Sequence, residues 1–386
     1  MRITFALLAV LLASQASAQA ENKITVSGRA WGSVEDVYTT GAPGATANVL
    51  PRYRVTNDSS FIRVRGDLKL TQDLSAFGQV EAQFALDGAG GPFDSGRNTG
   101  VGFTSKAYGT ITAGRWDSPY KLAAIRLDPW GNTTINNYAA ILGQHPRNGG
   151  GNIYDARLTN GVQYWSPVIS NVQVKLAAEV NEDRTAGDTI NPSALSASVT
   201  YDGPVYLAAA FETRKDCSNA GGGGASPTCT SALLGTHGRD WGLRLGAGYN
   251  YKPTRSEVGF VWERLYALAD VGPNSVTQGR TAWYLSLVQG IKGDVHQFVG
   301  AFGLADKTSG NALVGNPNND KTGALYYTLA YKYNFNKDLF VYASFVQIRN
   351  DDNAGYRFGS SGLNGAAGNP VGANYSGWSI GSRYVF

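Results

Sequence analysis

Phe61 to Phe84 read FIRVRGDLKLTQDLSAFGQVEAQF. In the first half, Ile62, Val64, Leu68 and Leu70 alternate with Arg63, Arg65, Asp67 and Lys69. A period of two puts the apolar set on one face of a strand and the charged set on the other. Residues 71–75 form a short link before the next such segment. The stretch therefore predicts strand, tight turn, strand, with one face that avoids water and one that needs it.

The same alternation recurs along the chain. Ile24, Val26, Ala30 and Val34 oppose Thr25, Ser27, Arg29 and Ser33. Val172, Val174, Leu176, Ala178 and Val180 oppose Gln173, Lys175 and Glu179. Trp241, Leu243, Leu245, Ala247, Tyr249 and Tyr251 oppose Asp240, Gly242, Arg244, Gly246 and Asn250. The predicted strands are 23–34, 60–70, 76–86, 97–105, 109–116, 156–166, 171–181, 193–202, 204–213, 239–251, 255–265, 280–290, 293–303, 323–334, 338–349 and 375–386, sixteen in all. Most have about the ten residues that a tilted membrane-spanning strand requires.

The connections alternate in length. Tight links at 71–75, 106–108, 167–170, 202–203, 252–254, 291–292 and 336–337 alternate with long polar segments at 35–59, 87–96, 117–155, 182–192, 214–238, 266–279, 304–322 and 350–374. Short turns at one end and long loops at the other are the layout of a transmembrane β-barrel. A soluble sandwich gives no reason for that segregation. Aromatics near strand ends, such as Tyr164, Trp165, Tyr249, Tyr251, Tyr331 and Tyr333, suit interfacial girdles.

Composition excludes other classes. The 386 residues hold 49 Gly and 21 Tyr but a single Met, and no apolar run after the N-terminal segment is long enough for a membrane helix. Charge is dispersed, with 33 basic against 29 acidic residues, so no nucleic-acid stripe is present. At the N-terminus, Arg2, the apolar stretch Phe5–Ala13 and Ala18-Gln19-Ala20 make a signal peptide over residues 1–20, with the folded domain over 21–386. In an exported chain, Cys217 and Cys229 are expected to close a loop as a disulfide. The three histidines, His145, His237 and His296, are scattered, and neither a metal site nor a cofactor is expected.

In layout and in four stretches the chain resembles the Gram-negative general porins, trimeric sixteen-stranded barrels of the outer membrane. ITVSGRAWGSV (24–34) resembles the family's first strand, and the stretch at 61–84 its second and third with their turn. AYGTITAGRWDSPY (107–120) resembles the strand leading into the third loop, and SRYVF (382–386) the terminal signal read by the barrel-assembly machinery, with Tyr384 and Phe386. The resemblance implies an all-β, sixteen-stranded antiparallel barrel with short periplasmic turns, long extracellular loops and an inward-folded third loop. The partners it implies are identical subunits in a homotrimer, outer-membrane lipid and lipopolysaccharide, and small hydrophilic solutes and anions.

Such a barrel is wide enough for an aqueous channel. Its expected lining comprises Arg29, Arg63, Arg65, Arg157 and Arg244, together with Asp117 and Asp128 from the loop. Charge on the lipid face would cost about 2–4 kcal/mol per residue at mid-membrane, which favours the inward side. Parity groups Arg115 with Ile111 and Ala113, although a bulge at the strand end can re-aim it; the resemblance implies a place in the constriction. The family's acidic third loop is not matched here, because Asp117 and Asp128 face Lys121, Arg126 and Arg147 within the same segment. Anion preference is therefore expected, since charged rings set pore selectivity. Two other functions fit the same layout: a substrate-specific channel, and a structural or adhesive barrel without transport.

Gly377-Trp378-Ser379-Ile380-Gly381 matches the G-x-S-x-G nucleophile elbow in letters. That motif needs a strand-to-helix turn and a later histidine, whereas only five residues follow Gly381. An enzyme is not expected.

Overall fold

The computed structural model describes residues 22–43, 48–88, 93, 96–131, 135–144, 154–180, 191–217, 237–270, 276–310, 319–358 and 370–386. The predicted signal peptide, Cys229, His145 and Arg147 lie outside the described residues.

One antiparallel sheet runs through eighteen hydrogen-bonded segments. Two of them, Arg52–Asn57 and Phe61–Lys69, are halves of one interrupted strand, and Ser309–Gly310 is a two-residue patch, which leaves sixteen staves. In chain order they are β1 (Asn22–Thr40), β2 (Arg52–Asn57 with Phe61–Lys69), β3 (Leu74–Gln83), β4 (Thr99–Ser105) and β5 (Gly109–Asp117). Next come β6 (Arg157–Trp165), β7 (Val172–Val180), β8 (Ser193–Asp202), β9 (Val205–Lys215) and β10 (His237–Tyr251). The last are β11 (Ser256–Asp270), β12 (Val276–Ile291), β13 (His296–Ala305), β14 (Ala324–Asn334), β15 (Leu339–Asn350) and β16 (Asn374–Val385).

Each strand pairs with its neighbour in sequence, and β16 returns to β1 from Arg29↔Val385 to Thr40↔Asn374. Gly28 and Phe386 exchange backbone hydrogen bonds of 2.8 and 3.0 Å at the seam. Closure gives every stave two neighbours, as a sheet in hydrocarbon requires. The outward face is apolar and exposed along the barrel, with Ile24, Val64, Val101, Leu176, Leu285 and Leu329 among its members. Short turns join β2–β3, β4–β5, β6–β7, β8–β9, β10–β11, β12–β13 and β14–β15, all at one end. At 169–172, Ser170 and Asn171 take φ of +49° and +68°, the mirror-type turn whose twist matches a hairpin.

Two regions differ from expectation. Residues 35–59 are mostly strand rather than loop, because β1 continues to Thr40 and pairs with Arg52–Asn57. Between Gly32↔Asn57 and Arg29↔Phe61, β1 advances three residues and β2 four. The extra residue is a bulge at 58–60, where Ser60 Oγ accepts from Trp31 N–H and donates to Trp31 C=O. Parity flips there: Arg54 and Thr56 face inward before the bulge, Arg63 and Arg65 after it. An alternation read straight through this point fails. The second difference is that β11 and β12 extend to Asp270 and from Val276, into a predicted loop.

Residues 118–131, 135–144 and 154–156 fold into the barrel. Ser118 caps a short helix, α1 (Pro119–Ile125), by accepting from Lys121 N–H, and Pro119 fills the first turn, where no N–H donor is needed. A 3₁₀ turn follows at Tyr138–Ala140, capped by Asn137. Loop residues Tyr120, Leu127, Ile135, Tyr138 and Ile141 form an apolar core with inward residues of β9 to β16, such as Val261, Tyr284, Tyr326, Val346 and Tyr375. Half of the inner wall is thus a packed core, a feature that alternation within single strands does not reveal.

Gly377 to Gly381 lie wholly within β16. Trp378 and Ile380 are 56% and 69% exposed on the outer face, and Ser379, 2% exposed, points inward beside Tyr342. The strand-to-helix turn of a nucleophile elbow is replaced by continuous strand.

Candidate functional site

The inner wall divides into a part covered by the folded loop and a part left open. The open part is carried by β1 to β7, and its centre is Phe61. The guanidinium carbons of Arg29, Arg63 and Arg97 lie 5.2, 5.3 and 4.7 Å from that ring's centroid. Arg63 and Arg97 share Glu81, with Arg97 Nε at 2.6 Å from Oε1 and Arg63 Nε at 2.9 Å from Oε2. Arg97 also donates to Ser59 Oγ at 2.7 Å, and Arg29 Nε to Ser59 C=O at 2.9 Å. Burial and the neighbouring Arg157 guanidinium pull the Arg97 pKa below its ordinary value, a sign of crowded positive charge.

Arg65 stacks on Phe77 at 3.9 Å and pairs with Asp67 at 2.9 Å. At the mouth of the loop, Asp117 accepts from Lys121 at 2.8 Å, faces Arg157 at 3.4 Å and receives Asn98 Nδ2 at 2.9 Å. In this cluster Arg29, Arg63, Arg65, Arg97, Arg157 and Lys121 stand against Asp67, Glu81 and Asp117, while elsewhere on β1 to β7 Glu35 pairs with Arg54 and Glu179 accepts from Thr159. Positive charge is in excess, and Arg63 and Arg65 remain about one-third exposed.

The expected lining residues separate accordingly. Arg29, Arg63, Arg65, Arg157 and Asp117 stand together on this wall. Arg115 occupies the bulge of β5, opposite Thr99 of β4, while Trp116 takes the inward place and packs edge-on against Phe77 and Trp165. Arg244 and Asp128, expected beside the water path, are instead sealed beneath the loop. Arg244 is 1% exposed, and its guanidinium binds Asp155 at 2.8 Å and Glu263 at 3.1 Å. Asp128 accepts from Tyr284 O–H and Trp130 N–H.

Sequence reasoning missed Glu263, Arg280, Glu81 and Arg97. Glu263 accepts from Tyr120 O–H, Gly143 N–H, Arg244 and Arg280, and so ties the loop to β10, β11 and β12. Arg280 also donates to Gln144 C=O at 2.8 Å. Their signal was available: each of Glu81, Glu263 and Arg280 sits at an inward position, opposite in parity to exposed Val80, Trp283 or their like. Arg97 shares the parity of outward Val101 and Phe103 in the predicted strand 97–105, but the strand starts only at Thr99, so Arg97 is free to turn inward. Cys217 is buried just after β9; its expected partner Cys229 lies outside the described residues. His237 stands beside Asp216 at 3.3 Å and His296 beside Tyr331, on separate strands.

A family model of Gram-negative porins matches residues 5–353. No curated protein sequence matches. Among solved structures, the chain is similar to the anion-selective porin from Comamonas acidovorans, at 19% identity over 95% of this chain and 100% of that one, with a TM-score of 0.74. It is also similar to the trimer form of OmpT from Vibrio cholerae, at 16% identity over 95% and 99% of the two chains and a TM-score of 0.64. A third similar structure is OmpF of Salmonella typhi with daunomycin, at 15% identity over 95% and 98% and a TM-score of 0.57. These likenesses are of fold. With the closed barrel, the inward loop and the match along most of its length, this chain belongs to the Gram-negative porin family.

Proposed function

We propose that this outer-membrane channel of the Gram-negative porin family passes small hydrophilic solutes by passive diffusion, prefers anions, and works as a homotrimer of residues 21–386 after loss of the signal peptide 1–20. The observation that carries the preference is the excess of guanidinium over carboxylate on the open wall. Rings of one charge sign admit the opposite ion more readily. The constriction residues are Arg29, Arg63, Arg65 and Arg157 with Asp117, and Arg115 is assigned to it through the family resemblance. The similar structure from Comamonas acidovorans is of an anion-selective porin, which supports the same reading. The trimeric OmpT structure supports three identical subunits. A disulfide between Cys217 and Cys229 belongs to the same proposal for an exported chain.

The test is the reversal potential of the purified channel in a planar bilayer under a KCl gradient. A potential on the chloride side is expected, with conductance steps arriving in threes. Replacing Arg63 and Arg65 by Gln leaves Asp67 uncompensated and Glu81 with Arg97 alone, and should move the potential toward cations. A cation-selective wild type, or a double variant indistinguishable from it, would overturn the anion reading.

A further inference from the structure

Most cations of the inner wall are paired with carboxylates, but three that stand together near the barrel seam are not. Among the described residues, Arg29, Arg383 and Lys332 meet no carboxylate within ion-pair distance; each rests on aromatic rings instead. Arg29 and Arg383 lie on the same indole, with their guanidinium carbons 5.3 and 5.4 Å from the centroid of Trp31. Arg383 and Lys332 share the Phe340 ring at 4.6 and 5.3 Å. Lys332 also sits 4.2 Å from Trp130 of the loop, where its Nζ donates to Pro129 C=O. The register explains the grouping, because Phe340, Arg383 and Trp31 are direct cross-strand neighbours on β15, β16 and β1.

Asp58 lies close by and accepts from Tyr342 O–H at 2.9 Å, yet several donors at this place carry no partner. Trp31 Nε1 and Trp130 Nε1, on rings 2% and 1% exposed, and Arg383 Nε have no hydrogen-bond partner. Arg29 and Arg383 are half-buried and directed inward, while Lys332 lies beneath them at 6% exposure. A ring face holds a guanidinium without cancelling its charge, leaving the in-plane N–H groups for an acceptor. Elsewhere on the wall the carboxylate does both jobs, holding the arginine and neutralising it.

We propose that Arg29, Arg383 and Lys332, fixed on Trp31, Phe340 and Trp130, form a binding station for a small multivalent oxyanion. The proposal rests on the anion preference argued above and adds a location and a charge class. Three clustered cations with no carboxylate at ion-pair distance attract a divalent ion more strongly than chloride. Several N–H donors left without a partner suit an ion that carries several oxygens. Trp31 and Phe340 are positioning residues: they carry no charge, yet they set where the charge sits.

Sulfate is the probe, because it stays divalent across neutral pH. Its partial block of the chloride current is measured in planar bilayers at fixed chloride. Wild type should be blocked, and the half-blocking concentration should rise about tenfold in Arg383→Gln and in Lys332→Gln, the loss of one charge-assisted contact. Lys332→Arg should restore the block. Trp31→Leu should weaken the block with no change in charge, and Trp31→Phe should retain it. Lys175→Gln is the control, since Lys175 also rests on a ring, Trp165 at 5.1 Å, but on β7 across the barrel. A wild-type heat-denaturation midpoint of the purified channel certifies an intact barrel in each variant. If Trp31→Leu does not assemble, Lys332→Gln against Lys332→Arg still decides. Absence of sulfate block in an anion-selective wild type would overturn the station and leave the anion preference standing, as would equal loss of block in Lys175→Gln.

Discussion

Arg63 and Arg244 begin from the same local design. Each projects inward from its strand, and each stands directly opposite a glutamate on the next strand, Arg63↔Glu81 and Arg244↔Glu263. Each makes Nε and Nη2 bonds to that glutamate. Their surroundings then diverge. The Arg63 side chain is 35% exposed on the open wall, whereas Arg244 is 1% exposed under the loop, with Asp155 as a second carboxylate. The same cross-strand pair therefore serves as a charged pore surface in one place and as an anchor in the other. What decides between them lies far off in sequence: whether loop residues such as Tyr120, Tyr138 and Gly143 pack over the strand.

Removing one glutamate from each pair separates the two roles. Glu263→Ala should have the largest effect, about 3–5 kcal/mol, because it strands buried Arg280, leaves Arg244 with Asp155 alone and frees the loop donors. The denaturation midpoint should drop, and single-channel conductance should rise as the loop loses its attachment. Glu81→Ala should cost less, about 1–3 kcal/mol, since Arg63 and Arg97 can turn toward water. Its signature is electrical, a reversal potential moved further toward chloride. If Glu81→Ala proved the more destabilising, the contrast between the walls would be wrong.

The smallest effect is expected where a carboxylate is fully solvated. Asp73 sits in the β2–β3 turn, and the hydrogen bond from Ser105 Oγ, at 2.6 Å, holds its carboxyl below the usual range. A depressed folded-state pKa adds stability above the ordinary carboxylate value, and that contribution is lost as pH falls through the lowered one. Asp73→Asn should therefore show a slightly flatter loss of thermal midpoint on acidification, with the channel properties unchanged. A slope identical to wild type would remove Asp73 from the account.

The staves and turns were legible because they are local. Alternation over about ten residues and breaks rich in Gly, Asn and Pro identified sixteen strands, and inward parity picked out Arg29, Arg63 and Arg65. What escaped was non-local or phase-dependent. The bulge at 58–60 inverts parity, so Arg52–Asn57 read as loop. Arg244 has an inward position like Arg63, and only the packed loop distinguishes them. The aromatic-held cations were hidden for a related reason: Arg383 lies three residues from the end of the sequence and Trp31 near its start, and only barrel closure makes them neighbours.

The bulge in β2 acts as a phase corrector. A regular strand can show the lumen only every second residue along its whole length. Arg52 and Arg54 fall on even numbers and Arg63 and Arg65 on odd ones, yet all lie on the inner side because one residue is spent between them. Deleting Ser59 would restore a uniform rhythm and turn one of those pairs toward lipid, at about 2–4 kcal/mol per arginine near the bilayer centre. A single unpaired residue thus lets one strand contribute positive charge at two heights of the same pore.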